Sequence, residues 1–478
     1  MEFFGHIIDG QEVESLDGAR FTTIDPYTRE AWAEVALGGK ADADRAIAAA
    51  RKAFDEGPWP RMGFTKRQEI LHRLADLMLE HADELAMADT LDMGKPITQA
   101  HHDVARSALN VRFFADHAAM STGELLPMDS GHHAYTVFDP AGVVVAIAPW
   151  NFPLMLESWK VAPALAWGNT VILKPAEDTP TSATIWARLA LEAGIPPGVF
   201  NVVHGYGPNS AGAALTESPD VDRITFTGES GTGKIIAGVA SKNLTPVSLE
   251  LGGKGANIVF DDADIDNAVY WAVQSIFRNA GQVCLAGSRL FVQAGVYDEF
   301  LKRYQAAAEA MLVGDPKDPK TEFPLALASE EHFTKVSGYL DTISEDGGSV
   351  LTGGQAGGWA VSPTIVVDAP KTARAYREEI FGPVVVVNKF ETEDEVVGLA
   401  NDSRYGLNAM VFTENLSRAV RVAENLQAGT VWVNCFFIRD LRAPFGGVGD
   451  SGLGREGGNF SREFMTEPKA IIMQINRG

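Results

Sequence analysis

Apolar runs alternate with helical patterns along the first half of the chain. The runs are continuous rather than alternating, which is typical of strands buried on both faces of a parallel sheet. Helices between such strands indicate βαβ units. The predicted strands are GVVVAIAPW (142–150), NTVILKP (169–175), FNVVHG (200–205), ITFTG (224–228) and ANIVF (256–260).

The helical patterns show apolar residues at intervals of three and four positions. They cover residues 42–55, 65–92 and 181–194. Thr181 can cap the last of these helices and Gly194 can end it.

A second α/β series follows residue 284, and the chain is predicted to divide near Leu251–Gly253 into two α/β domains. The predicted strands of this series are 288–293, 363–368, 382–390 and 429–434, and its helices are 296–312 and 393–402. YTVFDP (135–140) and PKAIIMQI (468–475) are strands without evident neighbours. We expect them to form a projecting sheet that pairs between subunits, because an uncovered edge is a liability in a monomer.

Charge and composition narrow the function. The 478 residues include 40 basic and 63 acidic ones, a formal net charge of -23. Such a surface repels nucleic acid and anionic lipid, so neither is an expected partner. Two cysteines fit a reducing compartment, and the N-terminus lacks the pattern of a secretion signal. No apolar run is long enough to span a membrane. We therefore expect a cytoplasmic enzyme, and no metal site is predicted.

Cys284, in RNAGQVCLAG (278–287), is either an inert core thiol or a nucleophile. Free cysteine is often simply buried. The small neighbours, however, let a ligand approach the backbone, and the N–H of Cys284 can face an oxyanion.

Two further residues can assist such a nucleophile. Glu250 ends an apolar strand before two glycines in VSLELGGKGAN (247–257). It is either a solvent-facing acid or a general base for water. Asn151 follows a buried strand in APWNFPL (148–154) and either holds a turn or donates to an oxyanion.

FTGESGTGK (226–234) lies between a strand and a helix, the position of a phosphate-binding turn, with Gly228 and Gly233 beside the helix N-terminus. It is not GxGxxG and is weak evidence alone. LKPAED (173–178) adds Lys174 and Glu177, and an acid there can bind the adenosine ribose and favour NAD over NADP.

Taken in order, these motifs resemble the aldehyde dehydrogenase superfamily along essentially the whole chain. The motifs that carry the resemblance are PWNFPL (149–154), LKPAE (173–177), FTG (226–228), LELGGK (249–254), GQVC (281–284), EEIFGPV (378–384) and PFGGVGDSGLGREGG (444–458).

The resemblance implies a role for each motif residue. Cys284 is the expected nucleophile, Asn151 and the Cys284 N–H form the oxyanion hole, and Glu250 activates the hydrolytic water. NAD is the implied cofactor, with Lys174 and Glu177 on its adenosine ribose. The residues implied to complete the cofactor site are Glu379 and Phe381 on the nicotinamide ribose, with Trp150, Phe226, Gly228 and Leu251 around the rest.

The resemblance also implies an α/β fold with a Rossmann-type cofactor domain, a catalytic domain and a small β bridge between subunits. We expect the NAD-binding domain at 1–122 and 143–250, the catalytic domain at 251–450, and oligomerisation segments at 123–142 and 451–478. A homodimer or homotetramer is the expected assembly.

Two positions depart from the pattern of many relatives. Glu229 stands where a serine usually contacts the pyrophosphate, and a carboxylate there repels the diphosphate unless it turns away. Arg278 stands where an apolar or aromatic residue usually lines the substrate tunnel.

FTGESGTG, FNVVHGYG and FFIRDLRAPFGG resemble one branch, the 2-hydroxymuconate and 2-aminomuconate semialdehyde dehydrogenases, whose substrates carry a carboxylate far from the aldehyde. By that resemblance Arg442 and Arg106 clamp the carboxylate, since the planar guanidinium binds carboxylates bidentately. Alternatively, Arg106 is a solvated helix residue and Arg442 an interface ion-pair partner. The aromatic residues Phe152, Trp159 and Phe436 can instead line a tunnel for ordinary aldehydes.

Other functions remain open at this stage. A betaine-type or broad-specificity aliphatic or aromatic aldehyde dehydrogenase keeps the same motifs. An enzyme that transfers the acyl group to CoA is disfavoured, because it would not need Glu250 to activate water. A cysteine esterase without a cofactor would leave the cofactor motifs unexplained. A binding protein without activity would leave the complete set of catalytic residues unexplained.

Overall fold

The computed structural model describes residues 1–129 and 131–475. Its first large sheet has a parallel centre with antiparallel strands at both edges. In spatial order its strands are Gly452–Leu453, Val247–Glu250, Arg223–Thr227, Val143–Ile147, Thr170–Lys174, Phe200–Val202, His6–Ile8 and Gln11–Val13.

The order of this sheet reverses beside its central strand. From Val143–Ile147 the chain builds outward through Thr170–Lys174 on one side, then crosses to Arg223–Thr227 on the other. Ligands of open α/β sheets bind beyond the carboxyl ends of the strands at such a switch point.

The second large sheet is parallel except at one edge, where Ser349–Thr352 pairs antiparallel. All residues of its strand Ala256–Val259 are buried, which accounts for the absence of polar alternation in the sequence. In spatial order its strands are Ser349–Thr352, Thr364–Val367, Val384–Phe390, Arg289–Gln293, Ala256–Val259, Asn408–Phe412 and Thr430–Val433.

Helices cover both sheets, and one of them, Pro153–Ala166, is buried along its whole length and on all sides. The pattern predicted as one helix over 65–92 forms two helices, because the backbone leaves the helical conformation at His81 (φ -104°, ψ 26°). The predicted cap Thr181 is instead the first helical residue, after Pro180. The helices are Lys40–Asp55, Phe64–Glu80, Ala82–Met93, Ile97–Ala119, Pro153–Ala166, Thr181–Glu192, Ala211–Glu217, Ser230–Ala240, Ile265–Phe277, Tyr297–Glu309, Glu330–Thr342, Arg374–Arg377, Glu393–Asn401, Leu416–Asn425 and Gly458–Met465.

The two strands that lacked neighbours in the sequence pair with each other. Thr466–Gln474 runs antiparallel to His132–Pro140, and Leu125–Leu126 extends this small sheet. Its exposed apolar side chains include Ile472 and Met473. This surface supports the predicted subunit contact, which stays a prediction, as do the domain boundaries. The end of the predicted segment 451–478 lies outside the described residues.

The remaining strands are short. Glu2–Phe4, Glu30–Ala36 and Arg20–Asp25 form a three-stranded sheet, and the two-stranded pairs are Val313–Gly314 with Phe323–Pro324, Ala356–Gly357 with Ala360–Val361, and Tyr405–Gly406 with Val448–Gly449. None of the helices within the described residues is both long and apolar enough to cross a membrane.

Candidate active site

The predicted catalytic residues converge at the switch point. Asn151 lies four residues beyond the end of Val143–Ile147, and Glu250 ends the strand Val247–Glu250 two strands away. Cys284 lies in the loop between the helix Ile265–Phe277 and the second sheet. The fold thereby gathers three distant segments at one sheet edge.

Cys284 lies where two cavities meet. One is apolar and contains Glu250, and the other is larger and contains Asn151. Cys284, Thr227 and Leu251 line both of them. A thiol at this junction can therefore face a substrate on one side and a cofactor on the other.

The larger cavity, of about 670 Å³, has the size and position of a cofactor site. The predicted cofactor residues that line it are Trp150, Glu177, Gly228, Glu229, Leu251, Glu379 and Phe381. The helix Ser230–Ala240 begins directly after Glu229. Its N-terminal N–H groups favour an anion such as a diphosphate.

Three predicted cofactor residues lie behind the lining. Lys174 is buried, and its Nζ donates to the Pro175 carbonyl (2.9 Å) and to Glu177 Oε2 (3.4 Å), which orients the Glu177 carboxylate. Phe226 is also buried, with its ring so close to Gly228 that a Cβ there would lie 2.5 Å away. A Cβ on Gly233 would likewise lie 2.5 Å from the Leu251 side chain. Phe226 and Gly233 thus pack against two residues that line the cavity, and their part in the cofactor site stays a prediction.

Glu379 is fixed against the LELGGK loop. Its Oε1 accepts the Gly253 N–H at 2.8 Å, and a Cβ on Gly252 would lie 2.1 Å from Oε2. Burial raises the pKa of Glu379 to about 7. Only glycine at 252 allows this carboxylate to reach the cofactor cavity.

An aromatic group that the sequence analysis missed closes the far wall of this cavity. The His332 ring lies 4.8 Å from that of Trp150 and 5.8 Å from that of Phe381. Its Nε2 bonds the Phe381 carbonyl at 2.7 Å, and Phe381 has φ +61°. No motif in the sequence marks His332, and the helix that contains it, Glu330–Thr342, was not predicted.

The residues around the nucleophile oppose its ionisation. Burial raises the pKa of the Cys284 thiol to about 12, and the negative charges of Glu379 and Glu250 add to this, whereas Arg439 counteracts it. Without ligands, Cys284 is therefore predominantly a thiol at neutral pH.

Glu250 is buried, and neither carboxylate oxygen has a hydrogen-bond partner among the described residues. Burial, and then the charge of Glu456, raises its pKa well above the usual range, so the carboxyl is a base that takes up protons readily. Glu456 is itself paired with buried Lys160 at 3.0 Å.

The apolar cavity is lined mainly by aromatic and aliphatic side chains. Phe152 and Trp159 lie on it, as the sequence suggested. Phe436 does not: it is buried between Trp432 and Phe437, and Phe437 takes the lining position instead. The full lining is Phe152, Met155, Leu156, Trp159, Thr227, Glu250, Leu251, Val283, Cys284, Leu285, Leu407, Phe437, Arg439, Phe445 and Glu456.

The arginine in this cavity is Arg439, three residues before the predicted one. Its guanidinium lies over the rings of Trp159 (4.5 Å) and Phe445 (3.8 Å). Arg442 lies outside the cavity with its side chain 76% exposed, and its Nη2 donates to Asp440 Oδ2 at 2.6 Å. Arg442 thus pairs within its own loop, and the alternative interpretation of it as an interface ion-pair partner stays a prediction.

Arg106 and Arg278 both stand near the cavity without lining it. Arg106, on the helix Ile97–Ala119, is half-buried and close enough for its charge to lower the pKa of Arg439. Arg278 lies behind the lining, with its guanidinium 5.5 Å from the Phe437 ring centroid. The arginine at 278 therefore packs against Phe437, an aromatic residue that lines the apolar cavity.

The raised pKa of Cys284 predicts a steep pH dependence of alkylation. In a Cys435→Ser background, iodoacetamide modification of Cys284 without cofactor should accelerate about tenfold per pH unit from pH 7 to 9, because only the thiolate reacts. Glu379→Gln removes a negative charge that raises this pKa, so it should react faster at pH 8. A rate that levels off near pH 7 contradicts this expectation.

The fold and site combine a cysteine at the meeting point of two cavities with a cavity large enough for a dinucleotide, the arrangement of a cofactor-dependent oxidoreductase. A sequence model of the aldehyde dehydrogenase family matches residues 13–471, and the chain belongs to this family. The predicted family, the α/β fold and the enzyme class, an NAD-dependent aldehyde dehydrogenase, are confirmed.

Similar proteins differ in their substrates. The chain is 46% identical to the 2-hydroxymuconic semialdehyde dehydrogenase of Pseudomonas sp. (strain CF600), across 99% of this chain and 100% of that protein. It is 45% identical to the mitochondrial benzaldehyde dehydrogenase of Antirrhinum majus, across 98% and 88%. The NAD+ complex of an aldehyde dehydrogenase from Bacillus cereus superposes with a TM-score of 0.97 at 40% identity, across 99% and 97%.

Proposed function

We propose that this protein oxidises a 2-hydroxymuconic-type semialdehyde, an aldehyde with a distant carboxylate, to the corresponding acid through a thioester on Cys284. The observation that carries the substrate class is Arg439, a cation in the same cavity as the nucleophile. We also propose a homodimer or homotetramer, joined through the small sheet that contains His132–Pro140.

The Cys284 thiol first gives up its proton to solvent, and the thiolate then adds to the aldehyde carbon, which forms a C–S bond and an oxyanion. The Asn151 side-chain amide has two N–H groups, and one donates to the Gln282 carbonyl at 2.8 Å. The second can therefore donate to the oxyanion together with the Cys284 N–H. Burial of Asn151 keeps water from competing for this donor.

When bound, NAD would supply the hydride acceptor for the thiohemiacetal carbon. The role of Cys284 in this step is to keep the acyl group as a thioester. Glu177 and Glu379 would hold the two riboses, since both line the cavity and a carboxylate accepts hydrogen bonds from hydroxyl groups. The helix beginning at Ser230 would face the diphosphate.

Glu250 is placed to complete the reaction. Its carboxylate takes a proton from water while the hydroxide oxygen attacks the thioester carbon, and the C–S bond breaks to release the acid and the Cys284 thiolate. Burial and the lack of partners raise the proton affinity of Glu250, as a general base requires.

Arg439 favours an anionic substrate. Neither an ion pair nor a hydrogen bond to its guanidinium occurs within residues 1–129 and 131–475, although Arg106 places a second positive charge nearby. Its pKa of about 10, lowered mainly by burial, still keeps it charged at neutral pH. The charges of Glu456 and Glu250 act on Arg439 from the same cavity, but neither carboxylate bonds its guanidinium, so its N–H groups are left to donate to a substrate carboxylate.

A benzaldehyde-type substrate is the second candidate, favoured by the aromatic lining of Phe152, Trp159 and Phe437. A betaine-type aldehyde carries a quaternary ammonium group, which Arg439 and Arg106 would repel.

A comparison of two aldehydes tests the carboxylate site. We expect wild type to show a higher kcat/KM for 2-hydroxymuconic semialdehyde than for benzaldehyde, measured as NADH formation. Arg439→Gln should lower the ratio of the two values about 100-fold, because a charge-assisted bidentate contact is lost. The ratio cancels any common effect of Arg439 on Cys284 ionisation.

Arg442→Gln is the matched control, since Arg442 lies in the same loop and is exposed. Its ratio should stay within about twofold of wild type. If benzaldehyde is the better substrate in wild type, or if Arg439→Gln leaves the ratio unchanged, the semialdehyde proposal is wrong and the family assignment stands.

A further inference from the structure

The turn that precedes the nucleophile contains a buried asparagine with no assigned role. Asn279 is fully buried, and both Asn279 (φ 51°, ψ 33°) and Ala280 (φ 54°, ψ 32°) have left-handed backbone conformations, followed by Gly281 at φ 71°. Consecutive left-handed residues that include non-glycines are rare and persist only where other contacts enforce them.

The side chain of Asn279 joins two backbone segments of the active site. Its Nδ2 donates to the Asn151 carbonyl (2.9 Å) and to the Gln282 carbonyl (3.3 Å). The opposite amide orientation would aim an oxygen at two carbonyl oxygens, so the donor orientation is defined by the contacts.

The Gln282 carbonyl is the same atom that accepts the Asn151 side-chain amide at 2.8 Å. A carbonyl oxygen has two lone pairs, and these two amides occupy both. Asn279 thus holds Asn151 at its backbone and also holds the acceptor that orients its side chain.

Gln282 closes the network from the other side. Its Nε2 donates to the Asn279 carbonyl (3.0 Å), and its Oε1 accepts the Ala328 N–H (3.0 Å). Gly281 packs so closely on the Gly382 carbonyl that an added Cβ would lie 2.2 Å away. The turn is therefore fixed by contacts on each side.

We propose that Asn279 is a positioning residue for the oxyanion hole: it fixes the free N–H of Asn151 in the direction of the aldehyde oxygen. Asn279 does not itself reach the substrate. Because the oxyanion exists only after the thiolate adds, the effect belongs to kcat more than to KM. The proposal rests on the proposed aldehyde oxidation and adds a residue to that site.

The test is a double-mutant cycle of Asn279→Gly with Asn151→Ala, measured as kcat and KM for an aldehyde. Glycine suits the left-handed backbone and removes only the amide. Asn279→Gly should lower kcat about 10- to 100-fold and change KM less than about threefold. In the Asn151→Ala background the same substitution should change kcat by less than about twofold.

Alkylation of Cys284 by iodoacetamide supplies the second readout, because that reaction forms no oxyanion. Its rate in Asn279→Gly should stay within about twofold of wild type. Asn169→Ala is the matched control: Asn169 is a buried amide that also bridges two carbonyls, those of Ala164 and Met465, away from the site. It should lower the Tm but leave kcat within about twofold.

Independent, multiplicative effects of the two substitutions would overturn the proposal, as would a parallel fall in alkylation rate. Asn279→Asp, of similar volume but with no N–H to donate, takes the same place in the cycle if Asn279→Gly does not fold. If Asn151→Ala itself retains full kcat, the proposed oxyanion hole is wrong. If Asn151→Ala lowers kcat and the effects of the two substitutions on kcat simply multiply, the oxyanion hole stands and only the positioning role of Asn279 is wrong.

Discussion

Cys284→Ser should lower kcat for aldehyde oxidation on the order of 1,000-fold or more, because no other thiol of the described residues lines the two cavities and the Thr227 hydroxyl there is a much weaker nucleophile. A serine hydroxyl keeps nearly the same volume, so cofactor binding should persist. NADH formation measures the first property, and calorimetric titration with NAD measures the second.

Cys435→Ser is the natural control for this experiment. Cys435 is the second free thiol of the described chain, half-buried and absent from both cavity linings. Its loss should leave kcat within about twofold of wild type. Substantial oxidation by Cys284→Ser would require a different first step and would remove the thioester from the proposed reaction.

Strands that are buried on both faces were predictable, because they appear in the sequence as continuous apolar runs. The continuous run at 142–150 contains the strand Val143–Ile147, all five residues of which are buried. The interruption at His81 was not predictable, since no proline or glycine marks it and the break is a local backbone event. The pairing of Thr466–Gln474 with His132–Pro140 joins segments more than 300 residues apart, and it was predictable only because both segments read as strands without neighbours.

The candidate catalytic residues were predictable because each lies within a distinctive motif, whereas the arginine that lines the apolar cavity was not. Both Arg439 and Arg442 lie in FFIRDLR, and nothing in that string tells which side chain faces inward. The backbone makes that choice: Arg439 packs on Trp159 and Phe445, while Arg442 turns to Asp440 at the surface. Asn279 could not be identified from the sequence either, because no residue pattern uniquely marks its left-handed backbone conformation.

Glu250→Gln should separate the two halves of the reaction. Acylation needs Cys284 and Asn151, so the first turnover should still release close to one NADH per active subunit in a rapid burst. Hydrolysis needs the carboxylate, and steady-state kcat should fall about 100- to 1,000-fold. Mass spectrometry of the quenched variant should find the acyl group on Cys284.

The pH dependence gives the same step an independent signature. The pKa of Glu250 is raised by burial and by the neighbouring Glu456, so the working, deprotonated form is lost as the pH falls through that raised value. Hydrolysis in wild type should therefore slow at acid pH, and Glu250→Gln should lose this dependence. Glu463→Gln, at an exposed position, should retain both burst and turnover. If Glu250→Gln shows neither a burst nor an acyl adduct, Glu250 acts before the thioester forms. Its role is then to deprotonate the Cys284 thiol rather than to activate water, because the raised pKa of that thiol calls for a base.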